Sequence, residues 1–393
     1  MPADCISNMF CYDKGVLREL EQVYGGHGLR KFLEAIARPP TRYYIRVNVL
    51  RAEPLQLLDD MREKGLEVYS DEFLEEALWL PVRGPNNVRD TGCYVVVDKR
   101  AAESVMMGAH VYAPGVVRVD ECAKPGAEVT VVSENGVLVA NGVVEEGFST
   151  ALRVKRGLVV RNVRPLYSVP SLRDTEWSTR GLIYEQSISS MLVARVLDPE
   201  PGSIIVDMCA APGGKTSHVY ELVRGRARII AIDHSASKTR RLRENLERLG
   251  HRGVEIIRMD ARYADLELGK GVADYVVLDP PCTSLGVVPK IYDSKSLRDV
   301  RVSARYQRQF LRAAYGLLRS GGVLVYSTCT VTLSENEKNI RYAVEKLGFR
   351  VLEPPSTTRR FAKGIGFCSD CSIRVHPHVH GATGYFVAKL VKP

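Results

Sequence analysis

The run IIVDMCAAPGGKT (204–216) decides the fold. It opens with IIVDM (204–208), a short β-prone apolar run. An acid, several small residues, a proline and two glycines follow, and then a helix-like stretch. A strand that stops at Asp207 and hands over to Cys209, Ala210, Ala211, Pro212, Gly213 and Gly214 leaves the backbone open to close approach by a ligand. The free amides at the start of the next helix then face that ligand.

Outward from this run the pattern repeats. IIAID (229–233), EIIRM (255–259), YVVLD (275–279) and VLVYS (323–327) are further apolar runs, and helix-like stretches separate the first pairs. Between two of them, Ser235 is placed to cap SASKTRRLRENLERLG, whose Leu242, Leu246 and Leu249 share one face before Gly250 ends it. Alternation of this kind predicts an α/β, doubly wound, mostly parallel sheet with its ligand at the carboxyl ends of the strands. Asp233, Asp260 and Asp279 end strands as Asp207 does, and Asp233 is placed to accept hydrogen bonds from two ribose hydroxyls. Any one of these acids serves equally well as a cap or turn former; four in succession read as the rim of a site. A phosphate loop ending in GGKT is disfavoured, because the glycine it needs five residues before Gly214 is Cys209. A dinucleotide loop fails for want of G-x-G-x-x-G.

The chain has 393 residues, 45% hydrophobic and 26% charged, the proportions of a globular protein of two or three domains. No run approaches the roughly 18 apolar residues of a membrane span. MPADCISNMFCYDKG lacks a signal pattern, so a cytoplasmic protein is expected. With 55 basic and 46 acidic residues the net charge is +9, which favours polyanionic partners. Nine cysteines, odd in number and scattered, point to metal, catalysis or burial rather than to disulfides.

Residues 1–91 read as a mixed α/β segment, with a strand in YYIRVNVL (43–50), a helix in AEPLQLLDDMREKG (52–65) and a short strand after it. Residues 92–168 are Val-rich, with turns expected at Pro114-Gly115, Pro125-Gly126, Asn135-Gly136 and Asn141-Gly142, the texture of a small antiparallel barrel. That block ends in a basic stretch containing Arg153, Lys155, Arg156, Arg161 and Arg164. The alternating pattern occupies 171–393.

Two cysteines fall at strand ends: Cys282 in DPPC (279–282) and Cys329 in STC (327–329). Adjacent strands lie about 5 Å apart, so both thiols can enter one crevice. Burial as small hydrophobes is the plainer alternative; position beside a carboxylate favours reactive thiols.

DMCAAPGGKT (207–216), DPPC, and STC followed by SENE (334–337) resemble the RNA cytosine-5 methyltransferases of the RsmB and Sun-domain family. RVNVL (46–50), YEQSISSML (184–192) and HPHVHGATGYFVAKL (376–390) extend the likeness. The block around VVVDKRAAESVMMGAHVYAPGV resembles a PUA domain, a small RNA-binding barrel, and the combination is similar to the PUA-bearing tRNA methyltransferase branch. The resemblance implies S-adenosylmethionine as donor, RNA rather than DNA or membrane as partner, and tRNA ahead of rRNA. It also implies residue roles. Cys329 adds to carbon 6 of cytosine, and Cys282 assists release of the adduct. Asp279 holds ring nitrogen 3, and Lys215 orients Asp279 or lowers a thiol pKa. The 209–215 loop, Asp233, Lys238, Asp260 and Asp279 bind the donor. No metal is expected.

Two features stand apart. Arg301, Arg305, Arg308 and Arg312 share one helix face, either a phosphate-binding stripe or a solvated surface. Cys368 and Cys371, near His376, His378 and His380, allow zinc, a disulfide or a plain loop.

Overall fold

The computed structural model describes residues 5, 6, 9–358 and 360–393. The predicted strands form as β1 (Ile204–Asp207), β2 (Arg228–Asp233), β3 (Val254–Arg258), β4 (Ala273–Leu278) and β5 (Leu318–Thr328). To these the chain adds β6 (Ser372–Val375) and β7 (Tyr385–Val391). Their order is β3-β2-β1-β4-β5-β7-β6. The first five run parallel, whereas β7 pairs antiparallel with both β5 and β6. The order reverses between β1 and β4, and that switch point opens the crevice where such sheets bind ligands.

Both faces are covered, as a parallel sheet requires. Val206, Ile230, Val276 and Leu324 point to one side and meet Phe310, Leu311 and Leu317. The alternate residues Ile205, Ile229, Val277 and Val325 point to the other and meet Leu192, Val196 and Val219. Four helices matter for the site: α1 (Ile188–Leu197), α2 (Gly214–Leu222), α3 (Ala236–Leu249) and α4 (Leu297–Leu317). As expected, Ser235 caps α3, Gly250 ends it in the left-handed region, and Leu242, Leu246 and Leu249 are buried.

The expected N-terminal segment carries a helical stretch, Lys14–Ile36, broken by a kink at Gly25, and strands Arg42–Val47, Tyr69–Ser70 and Ala77–Pro81. Its sheet takes a fourth strand, Ile183–Glu185, from beyond the barrel. Phe10–Tyr12 also pairs with Asp293–Lys295, so this segment is knitted into the catalytic half rather than standing beside it.

Residues 94–165 form the expected small barrel, six strands around Val95, Val97, Val129, Val131, Val139 and Val160, but it is not wholly antiparallel, since Tyr94–Val97 pairs parallel with Glu128–Ser133. One expected turn is wrong. Asn141 and Gly142 lie inside strand Leu138–Val144, at a register shift against its neighbour. The buried Asn141 side chain binds the backbone of Arg89 in both directions, and a Cβ at Gly142 would lie 2.4 Å from Val160. The expectation against disulfides is also overturned. Cys93 and Cys122 are joined within the barrel and Cys368 with Cys371 near β6, and Cys11 is disulfide-bonded too. Cys209, Cys282 and Cys329 are free.

Among the described residues no helix is long and apolar enough to cross a membrane.

Candidate active site

β1 ends at Asp207, which is buried and accepts from Thr216 Oγ1 (2.7 Å) and the Cys209 amide (3.3 Å). Burial pushes its carboxyl up to about 6. Asp207 therefore ties the loop to the first turn of α2. The loop turns through a cis Ala211–Pro212 bond and Gly213, whose φ of 109° suits glycine; a Cβ there would lie 2.9 Å from Leu242. Gly214 is packed as closely against the Tyr184 ring. Its carbonyl accepts from Arg46 Nη1 at 2.7 Å. Arg46 is itself fully buried and pairs with Glu221 (2.9 Å), so the RVNVL strand clamps the loop from behind.

In front of the loop lies a cavity of about 260 Å³. Cys209, Ala211, Asp233, Lys238, Asp260 and Asp279 line it, together with Met208, Met259 and Phe310. Ala210, Pro212, Gly213, Gly214 and Lys215 do not line it; they shape its wall. Asp233 is fixed by the Ser235 amide (3.1 Å). Asp260 is gripped by Arg262, whose hydrogen bond holds its carboxyl below the ordinary value. Burial pushes the Cys209 thiol well up, so it is a wall and not a nucleophile. Carboxylates, an ammonium and thioether surface around a small-residue loop are a donor set that fits a nucleoside carrying an amino-acid tail.

The same cavity reaches Cys282 and Cys329, whose sulfurs are 3.3 Å apart. β4 delivers DPPC and the adjacent β5 delivers STC, which brings the two thiols together as strand spacing predicts. They are not equivalent. The hydrogen bond from Cys282 lowers the Cys329 thiol against the effect of burial, with Ser284 and Lys215 assisting. The same bond, with burial, pushes Cys282 well up. The two thiols are thus of opposed acidity, with Cys329 the more readily ionised of the pair.

Asp279 accepts from Ser327 Oγ (3.0 Å) and Tyr385 OH (3.1 Å) on one oxygen and from Lys215 Nζ (2.5 Å) on the other. Burial alone would lower the Lys215 ammonium, but Asp279 and Tyr385 hold it well above its ordinary value. Lys215 is therefore a half-buried, paired cation at the start of α2.

Several residues here escaped sequence reading. Ser284, Ser327 and Tyr385 touch the thiols or Asp279 without forming a motif of their own. Glu335 is the most connected: it accepts from the Thr283 amide (2.9 Å), Thr283 Oγ1 (2.5 Å), Thr332 Oγ1 (2.9 Å) and Gln307 Nε2 (3.0 Å). It thereby joins the residue after Cys282 to the turn after Cys329. SENE carried the signal, yet a tetrad of polar residues does not say which one turns inward.

The arginine stripe divides. Arg301, Arg305 and Arg312 are exposed, but Arg308 turns to Asn339 (2.9 Å) and the Tyr342 ring. The disulfide removes Cys368 and Cys371 as thiolate ligands, and His376, His378 and His380 pack against Tyr24, Phe361 and one another.

The switch-point loop, the acid rim and the paired thiols define an S-adenosylmethionine-dependent methyltransferase. Residues 194–391 match the family model for 16S rRNA methyltransferase RsmB/F and residues 93–166 that for the PUA domain. The chain belongs to the RsmB/F family of RNA cytosine-C5 methyltransferases and carries an inserted PUA domain. It is 39% identical over 381 residues to a tRNA (cytosine(72)-C(5))-methyltransferase of Pyrococcus horikoshii, covering 96% of each chain. It is 32% identical to the human tRNA (cytosine(72)-C(5))-methyltransferase NSUN6, covering 83% of this chain and 77% of that one. The crystal structure of NSun6 from Pyrococcus horikoshii with SFG, an S-adenosylmethionine analogue, superposes with a TM-score of 0.88 at 38% identity, over 97% and 98% of the two chains.

Proposed function

We propose that the protein methylates carbon 5 of a cytosine in tRNA, with position 72 the first candidate because the relatives named for that reaction match along nearly the whole chain. Three working units carry it: residues 1–91 bracing the donor loop, 92–168 binding RNA, and 171–393 doing the chemistry in the cytoplasm. The observation that carries the reading is the Cys282–Cys329 pair, two thiols of opposed acidity in one cavity with the acid rim.

Carbon 5 of cytosine is a poor nucleophile. The Cys329 thiolate adds to carbon 6, and the displaced ring electrons make carbon 5 enamine-like. Asp279, held by Lys215, Ser327 and Tyr385, faces ring nitrogen 3 and, as the carboxylic acid, donates a proton there as negative charge moves onto the ring, taking it back when the ring reforms. S-adenosylmethionine would be held along the acid rim and would supply the electrophilic methyl group to carbon 5, leaving as S-adenosylhomocysteine. A base then takes the carbon 5 proton, the electron pair reforms the double bond and the Cys329 sulfur leaves as thiolate. Cys282, 3.3 Å from that sulfur, donates its proton to it as it departs. Asp233 and Asp260 hold the donor's sugar and base end, with Lys238 beside them.

The test is methyl transfer from labelled donor to unmodified tRNA and rRNA transcripts, with the modified base mapped. Label at one tRNA cytosine is expected, and label on rRNA alone would reassign the substrate. Cys329→Ala should lose both turnover and covalent adduct, while Cys282→Ala should accumulate adduct; the reverse pattern would exchange the two roles.

A further inference from the structure

Between Cys282 and α4 the chain makes an excursion whose regular structure is the short strand Asp293–Lys295, paired with Phe10–Tyr12. It leaves the cavity at Ser284, whose Oγ lies 3.4 Å from Cys329 Sγ and 3.8 Å from Cys282 Sγ. Two residues on, the Gly286 amide donates to the Cys329 carbonyl (3.0 Å) and its carbonyl accepts from Gly384 (2.7 Å). A Cβ at Gly286 would lie 2.4 Å from the Gly384 oxygen, so the backbone there has no room to shift.

The far end of the excursion is buried in the barrel. Ile291, 1% exposed, belongs to the barrel's apolar core although it lies more than a hundred residues beyond the barrel in sequence. Beside it the Tyr292 hydroxyl donates to Glu134 (2.7 Å). Asp293 then sits at a knot of positive charge: Lys290 (2.9 Å) and Lys295 (3.4 Å) from its own segment, and Lys99 (3.2 Å) from the barrel. Tyr12 of the N-terminal segment also donates to it, at 3.3 Å. A buried carboxylate shared among three elements has well-defined geometry, because moving any one element uncovers charge.

We propose that residues 284–296 are a tie that makes the placement of the Cys282–Cys329 pair depend on the seating of the inserted barrel, with Asp293 as its positioning residue. This rests on the reading of Cys329 as the nucleophile. Asp293 touches no reacting atom. It fixes the remote end of a segment whose near end fixes Ser284 and Gly286 against the thiols, and displacement of a reacting group by about 1 Å can cost 10²-fold in rate.

The test uses the full chain with Asp293→Asn and, on the barrel side, Lys99→Ala and Lys99→Arg. Lys99→Ala leaves Lys290 with its partner, so it keeps the fold if Asp293→Asn does not. Two readouts are taken: kcat and KM for an RNA transcript, and the rate of Cys329 alkylation by iodoacetamide without RNA. Expected are a fall in kcat of roughly 10- to 100-fold with little change in KM, a parallel change in alkylation rate, and recovery of both in Lys99→Arg. Unchanged alkylation in both Asp293→Asn and Lys99→Ala overturns the tie, as does a raised KM with kcat intact, which would make the segment a seat for RNA only. If the unaltered chain methylates no RNA, the functional reading fails, and alkylation alone still decides whether the tie exists.

Discussion

Glu335 offers a quantitative check on how the thiol pair is held. Its Oε1 accepts two N–H groups, from Thr283 and Gln307, which can only donate. Its Oε2 accepts the hydroxyls of Thr283 and Thr332, which can rotate to accept instead. In Glu335→Gln the amide oxygen can keep the two N–H donors while the amide nitrogen donates to the hydroxyls. What is lost is the charge assistance, about 1 kcal/mol per bond. Part of that is returned, because burial pushes this carboxyl above its ordinary value and the charge is costly to keep. The net cost is below the sum over the four bonds, and no donor is left unpaired. Glu335→Ala instead strands both N–H groups inside the protein, at about 1–3 kcal/mol each, for roughly 4 kcal/mol. It also leaves Thr283 held only through the Thr330 hydroxyl (2.8 Å), which loosens Cys282 beside it. Urea midpoints should therefore rank wild type, Gln, Ala, with a small first gap and a large second one. Covalent adduct should persist longer in the Ala variant, because Cys282 no longer meets the leaving sulfur. Equal destabilisation by Gln and Ala would refute the hydrogen-bond argument, and normal adduct lifetime in Ala would refute the link to Cys282.

Asp279→Asn should slow single-turnover adduct formation by roughly 10²- to 10⁴-fold; a near wild-type rate would remove Asp279 from the chemistry. Burial lowers His218, beside Glu76 and Arg195, to about 4 from its ordinary 6.5. Its proton therefore prefers the unfolded chain, and stability should be full above pH 6.5 and fall by up to about 3 kcal/mol as pH drops towards 4. Denaturation midpoints across that window should show the slope, and an identical slope in His218→Asn would assign it elsewhere. Arg153, Lys155 and Arg156 are all exposed on the barrel. Replacing them with Ala should lower the salt dependence of RNA binding by about 0.7–0.9 for each phosphate they no longer neutralise, leaving donor binding alone; an unchanged slope would move the RNA to another face. Substitution is preferable to deleting the barrel, whose core includes Ile291.

The parts of the fold that sequence could show were those written in local periodicity. Strand runs ending in Asp207, Asp233 and Asp279, the Ser235 cap and the Gly250 stop are each decided within a few residues. The two thiols also followed, since adjacent parallel strands leave little choice about where their ends meet. Long-range partnerships left no local trace. Nothing near Arg46 announces Glu221, and nothing near Asp293 announces Lys99. Asn141-Gly142 misled because a turn dipeptide can also serve a strand where a neighbour crowds the backbone. The disulfides misled because compartment and growth conditions, not spacing, decide whether thiols stay reduced.

The barrel is entered and left at one point. Arg83 and Ser168 exchange both backbone hydrogen bonds at 2.9 Å, just outside it. It interrupts a sheet whose strands Ala77–Pro81 and Ile183–Glu185 lie on either side of Arg42–Val47. For the chain that must close this sheet, a hundred-residue detour behaves as a short one once Arg83 and Ser168 are joined. Reducing the effective loop about sixfold lowers the closure entropy by about 1.6 kcal/mol. Such a doorway lets the strands around it keep their register whatever the length of chain beyond it.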